Sequence, residues 1–197
     1  MRTLVVGDVH GCARELCSMV ETARADRIIL AGDLFTKGPD PAGVWELIER
    51  FEMEAVLGNH DARVLESSSE WRRRGLPHAA LEWLSSLPLW IDGDGWRVLH
   101  AGCDPDLGAE QSSRQTLLNV RRWPDDRDQT NPFWWELYRG ERLLVFGHDA
   151  KRGLVDRRPH ALGLDTGCVY GGVLTGVLLE TGELLEVAAR MVYRTVD

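Results

Sequence analysis

The run LVVGDVHG at residues 4–11 holds three aliphatic residues, then a glycine, then Asp8 and His10. Leu4-Val5-Val6 reads as a buried strand, Gly7 as the break that ends it, and the polar pair as what its carboxyl end presents. The same grammar recurs along the chain. Ile28-Ile29-Leu30 leads into GDLFTKG at 32–38, Ala55-Val56-Leu57 into GNHD at 58–61, and Leu143-Leu144-Val145-Phe146 into GHD at 147–149. In open α/β sheets the carboxyl ends of the strands form the crevice where ligands bind. These strings therefore bring Asp, His and Asn to one edge of a sheet.

Between the strings, Cys12–Ala25 has helical spacing, with Leu16, Met19, Val20 and Ala23 on one side. Pro41–Phe51 repeats it with Val44, Leu47, Ile48 and Phe51, so the first half reads as βαβ units. Ala62–Leu87 reads as two helices split by Gly75-Leu76-Pro77. Leu89–Asp92 and Trp96–His100 form a hairpin around Gly93-Asp94-Gly95, and Val173–Glu180 and Glu183–Arg190 another around Thr181-Gly182. The expected class is α/β, α+β in part, with central mixed β-sheets sandwiched by helices. The least regular stretch, about 103–141, carries Trp123, Phe133, Trp134, Trp135 and Tyr138. It is expected to be a lid or insertion over the active site, the alternative being that its aromatics pack a long connection onto the core.

At 197 residues, 44% hydrophobic and 27% charged, with no low-complexity tract, the sequence predicts one domain over 1–197. No apolar stretch approaches the roughly 18–20 residues of a membrane span, and the start of the chain shows no signal-peptide pattern. A cytoplasmic protein with no membrane partner is expected. Cys12, Cys17, Cys103 and Cys168 lack a CxxC pair and are expected as free thiols. Cys12 and Cys168 lie close to motif residues, which leaves a soft-metal role as the alternative to small semi-buried side chains. The net charge of −8, from 31 acidic and 23 basic residues, argues against general nucleic-acid binding. Arg72-Arg73-Arg74 reads as a solvated helix face.

His10, His60, His100 and His148 each stand within a few residues of a strand end and a glycine, whereas His78 and His160 do not. Together with Asp8, Asp33 and Asn59 they form a mixed carboxylate, imidazole and amide set. Such donors suit manganese, iron, cobalt or zinc rather than the all-oxygen cage of calcium. They are too many for one ion. Two ions sharing a carboxylate can clamp both the attacking and the bridging oxygens of a phosphoryl group.

GDVHG, GDLFTKGP, GNHD, LHAG, FGHD and LDTGCVYGG, in this order over residues 7–172, resemble the phosphoprotein-phosphatase-type metallophosphoesterases, a resemblance that implies the calcineurin-like fold. It implies two divalent cations, manganese foremost, with Asp8 and His10 at the first, Asp33 as bridge, and Asn59, His100 and His148 at the second. It also implies His60 as the general acid that protonates the leaving oxygen after a metal-bridging hydroxide attacks phosphorus in line. Family members acting on phosphoproteins usually carry GDxVDRG. Here Thr36 and Lys37 replace its Asp and Arg, which removes the usual carboxylate partner of the catalytic histidine and gives phosphate a point charge in place of a bidentate fork.

That departure, with WWELYRGE and VFGHDAKRGL, resembles instead the diadenosine tetraphosphatase branch and the ApaH-like phosphatases. The expected activity is hydrolysis of dinucleoside polyphosphates. The alternatives are a protein or small-phosphomonoester phosphatase, a hydrolase of nucleotide-capped RNA ends, and a metal-binding scaffold without turnover, which the complete ligand and acid positions disfavour. Lys37 and Asn59 are expected to contact the nucleotide or phosphorylated substrate, together with one of Arg139, Arg121 and Arg122. Arg139 is favoured because it precedes the FGHD strand, and Lys151 and Arg152 are expected to line the outer groove.

Overall fold

A computed structural model describes residues 1–195. The chain runs β1 (Thr3–Val6), α1 (Ala13–Ala23), β2 (Arg27–Leu30), α2 (Pro41–Arg50) and β3 (Glu54–Ala55), followed by α3 (Asn59–Glu66), α4 (Ser68–Arg73) and α5 (His78–Ser85). Next come β4 (Trp90–Asp92), β5 (Trp96–Leu99), α6 (Arg114–Asn119), α7 (Trp134–Leu137), β6 (Leu143–Phe146), β7 (Val155–Arg157) and β8 (Ala161–Gly163). The hairpin β9 (Val173–Leu178) and β10 (Glu183–Ala188) completes the order.

Two mixed five-stranded sheets result, ordered β10-β9-β1-β2-β3 and β4-β5-β6-β8-β7. In the first, β1, β2 and β3 run parallel and β9 pairs antiparallel with β1; in the second, β5, β6 and β8 run parallel, with β4 and β7 antiparallel at the edges. The strands alternate faces with period two, which explains their continuous apolar runs. Val5 and Ile29 join Val98, Val145 and Leu162 in the layer between the sheets. Leu4, Val6, Ile28 and Leu30 face outward to pack on α1 and α2. In the second sheet Leu144 and Phe146 face the irregular segment, where Trp134 and Tyr138 cover them. The class read from the sequence, mixed sheets between helices, is the architecture found.

Two local readings change, and one strand pair is added. The stretch 62–87 holds three helices, the first beginning at Asn59, so that Asn59 and His60 lie in its opening turn. The extra break falls at Ser67, whose hydroxyl donates to Arg63 O at 2.9 Å, as serines in helices do when they compete for the backbone. The ladder of β3 ends at Ala55, although Val56 N still donates to Leu30 O at 3.1 Å. The short antiparallel pair β7 and β8 lacks the strong alternation that marks the other hairpins.

Candidate active site

All six parallel strands point their carboxyl ends at one seam between the sheets. β1 delivers Asp8 and His10, β2 delivers Asp33, and β3 leads to Asn59 and His60. From the second sheet β5 delivers His100, β6 His148 and β8 Asp165. The sheets are tied together here by His148 N, which donates to Asp8 Oδ1 at 2.9 Å, while Gly147 N donates to His100 O at 2.9 Å and carries the β5–β6 pairing into the seam. A Cβ on Gly147 would sit 2.0 Å from Asp8 Oδ1, so this strand can end so close to Asp8 only with a glycine.

His10, Asp33, Lys37 and His148 hold φ of 46°, 55°, 65° and 74°. Side chains rarely occupy this left-handed region, and the cost of about 1–3 kcal/mol each is borne where surrounding structure fixes the residue, commonly at functional sites. Asp33 is fixed from both sides. Its backbone N and that of Leu34 donate to Asp61 at 2.7 and 2.9 Å, and its Oδ1 accepts from His60 N at 2.9 Å. Asp61, which also accepts from Gly58 N at 3.0 Å, is a positioning residue that the sequence reading left without a role.

The carboxylate of Asp33 lies between two histidine groups, Oδ2 at 3.5 Å from His10 Nε2 and Oδ1 at 3.5 Å from His100 Nε2. His10 Nε2 is also 3.8 Å from Asp8 Oδ2, and one ligand atom from each of Asp8, His10 and Asp33 lies within 4.8 Å of the others. Asn59 Oδ1 lies 3.2 Å from His100 Nε2, and the His100 and His148 rings meet at 5.0 Å. The far ring nitrogens are anchored. His100 Nδ1 donates to Ala31 O at 2.8 Å, His148 Nε2 donates to Asn119 O at 3.0 Å, and His10 Nδ1 pairs with Thr36 Oγ1 at 2.9 Å. Each ring thus keeps its inward nitrogen as a lone-pair donor, the usual orientation of a metal-binding histidine. Thr36, where the related motif has Asp, anchors His10.

Charge in this seam calls for cations. Burial, then the charges of Asp165 and Asp33, pushes the Asp8 carboxyl well above its usual range. Burial likewise raises Asp33 and Asp165 to about 6. His10 and His148 are held well below the ordinary imidazole range, first by burial, then by Lys37 and by His100 respectively. Asp8 Oδ2 is buried without a hydrogen-bond partner. Crowded carboxylates, neutral imidazoles and an orphaned oxygen fit divalent metal ions. Asp165 belongs with this group, and its signal in the sequence was an acid one residue past the apolar stretch Ala161–Leu164, in LDTG.

Around the seam opens a cavity of about 650 Å³, lined by Asp33, Lys37, Asn59, His60, Arg121 and Arg122 together with His148, Lys151, Arg152 and Asp165. Lys37 Nζ lies 2.9 Å from His10 Nε2 and 5.4 Å from the centre of the Tyr170 ring. His60 stands edge-on to His10 at 5.3 Å, and burial, then Lys37 and Arg63, lowers it to about 3. The favoured arginine, Arg139, is not among the described residues lining this cavity. It is exposed and its Nη1 donates to Tyr138 O at 2.7 Å. Arg121 reaches in by donating to His148 O at 3.3 Å and lying 3.6 Å from Asp149, while Arg122 lies over Phe133 at 4.2 Å. Of the aromatics, Phe133 lines the cavity; Trp135 stacks behind it at 5.1 Å. Trp134 is core, 1% exposed, with Nε1 donating to Ala101 O at 3.0 Å.

A two-layer sheet sandwich with acids, histidines and an amide gathered at one strand-end seam defines a metal-dependent phosphoesterase. The chain belongs to the calcineurin-like phosphoesterase family, whose pattern it matches over residues 1–175, and is a hydrolase of phosphoester or phosphoanhydride bonds. It is 27% identical over 265 residues to the symmetrical bis(5'-nucleosyl)-tetraphosphatase of Vibrio parahaemolyticus, covering 93% of this chain and 97% of that protein. It is 25% identical over 236 residues to the asymmetrical bis(5'-nucleosyl)-tetraphosphatase PrpE of Oceanobacillus iheyensis, covering 96% of this chain and 93% of that one. A crystal structure provisionally assigned as a diadenosine tetraphosphatase superposes with a TM-score of 0.88 at 31% identity, over 95% of this chain and 93% of its own.

Proposed function

We propose that this protein hydrolyses dinucleoside polyphosphates of the diadenosine tetraphosphate type, with two divalent cations, manganese foremost, as cofactors. The observation carrying this reading is that the active-site cavity has a neighbour. A second cavity of about 780 Å³ shares Lys37, His60, Lys151 and Tyr170 with the first and adds Arg63 and Arg74. A phosphomonoester needs one basin. A polyphosphate bearing a nucleoside at each end has a use for two, joined at a cationic ridge where its anhydride oxygens would lie. The similarity to bis(5'-nucleosyl)-tetraphosphatases supports the same reading.

Asp8, His10, Asp33, Asn59, His100 and His148 would hold the cations. When bound, such a pair supplies charge to the phosphoryl oxygens and makes water a stronger nucleophile. Lys37, Asn59, Arg121 and Arg122 hold the phosphates. As water attacks phosphorus, the bond to the leaving oxygen breaks, and His60 gives that oxygen its proton. Polyphosphate in the cavity offsets Lys37 and Arg63, two of the causes that depress proton affinity at His60. Residues 103–141 act as a side wall of one domain, since Arg121, Arg122, Asp126, Gln129 and Phe133 face the cavity from it. Four free thiols favour work in the cytoplasm, and no helix among the described residues is long and apolar enough to cross a membrane.

The test is product analysis on diadenosine tetraphosphate after reconstitution with manganese, alongside a phosphopeptide under the same conditions. Cleavage of the tetraphosphate with the higher kcat/KM supports the reading; two equal diphosphates or a triphosphate with a monophosphate then give the position of attack. Faster turnover of the phosphopeptide overturns it.

A further inference from the structure

Behind the active site, on the far side of β1, a second cluster of metal-ligating groups is left unused by the reaction. Cys12 stands at the start of α1, Glu15 lies in its first turn, and Cys168 opens the short turn after Asp165. The three residues are 0%, 2% and 2% exposed, and a sulfur from each cysteine and an oxygen from Glu15 all lie within 4.8 Å of one another.

Glu15 is the informative member. Its Oε1 accepts from Arg190 N at 3.0 Å and from the Tyr193 hydroxyl at 2.7 Å, so the carboxylate is held in one orientation. Its Oε2 is buried without a hydrogen-bond partner. An unpartnered acid oxygen in the core costs several kcal/mol, by order of magnitude, unless a proton or a cation meets it. Beside it are two soft sulfur donors, those of Cys12 and Cys168.

We propose that Cys12, Glu15 and Cys168 form a metal site distinct from the catalytic one, for a thiophilic dication such as zinc. On binding, the two thiols release their protons to solvent, and two thiolates and one carboxylate balance the dication with one negative charge to spare. Water completes the tetrahedron. The cation ties the first turn of α1 to the 168–170 turn and, through Glu15, to residues 190–193. Catalytic donors leave the chain two residues before Cys12 and three before Cys168. The site therefore braces both of those strand exits from behind.

Cobalt titration of the reduced full-length chain separates the two kinds of site, because the catalytic donors are oxygen and nitrogen and give no thiolate-to-cobalt charge-transfer absorption. The wild-type protein is expected to show that near-ultraviolet absorption, to lose it on adding zinc, and to carry one more tightly held zinc than Cys168→Ser. Cys12→Ser and Glu15→Gln should weaken or abolish the absorption, and Cys103→Ser should keep it. A wild-type spectrum with no thiolate band overturns the proposal without recourse to any variant, even if the serine variants fold poorly. So does peptide mapping under non-reducing conditions that finds Cys12 and Cys168 joined as a disulfide in the freshly purified protein.

Discussion

Asp33 and His60 are neighbours with separable duties. Asp33 turns one oxygen toward each histidine group, so Asp33→Asn should remove activity and most of the bound metal together, as measured by metal analysis beside turnover. His60→Asn should keep its metal and lose turnover by roughly 10²–10⁴-fold, the usual worth of a positioned acid. Metal loss in His60→Asn as severe as in His148→Ala would make His60 a ligand. Asp61 does a third job, accepting from three backbone N–H groups of two loops. Asp61→Ala strands these buried donors at about 1–3 kcal/mol each, so at about 2–4 °C per kcal/mol for a domain of this size the melting temperature should fall by at least roughly 6 °C. An unchanged Tm would show that those loops are held by something else.

Among the elements, the segment between β5 and β6 mixes two roles that its composition does not separate. Phe133→Ala should raise KM for a nucleotide substrate with little change in Tm, whereas Trp134→Ala should cost about 3–5 kcal/mol of stability, as large core truncations do. Equal effects of both on KM would place the indole ring in the groove and contradict its burial. This contrast marks how far the sequence could be read. The strands, their glycines and the polar residues after them were legible because period and punctuation are local. The facing of Trp134 and the reach of Arg139 were not, because a turn decides them and several turns fit the same residues. Asp61 and Asp165 were visible as letters in GNHD and LDTG, but their duties depend on contacts with loops far away in sequence. The break at Ser67 was missed since three serines can sit in a helix as readily as they can end one.

For the molecule as a whole, the seam makes stability depend on cations and on pH. Asp33 and Asp165 titrate at about 6 when folded without metal, against 3.8 for the free group, and Asp8 is also raised. A raised acid binds its proton better in the folded state. Its contribution to stability is present below 3.8 and is lost as pH climbs through about 6. The buried histidines act in the opposite sense, because below about 6.5 the unfolded imidazoles take up protons that His10, His60 and His148 refuse when folded. The expectation therefore rests on the metal: manganese should raise the melting temperature of chelated protein more at pH 7 than at pH 5, where protons compete for the acids. An equal manganese shift at both values would show that protons and metal do not compete for these acids. The order of strands has a further result, which concerns time. Strand β1 is sealed on its second side by β9, Leu4 meeting Leu178, and everything that builds the other sheet lies between them. A ribosome must complete that sheet before the opening strand finds its last neighbour. Until then a bare, apolar strand edge waits on the emerging chain, so yield in the cell should depend on elongation speed and on chaperones holding that edge.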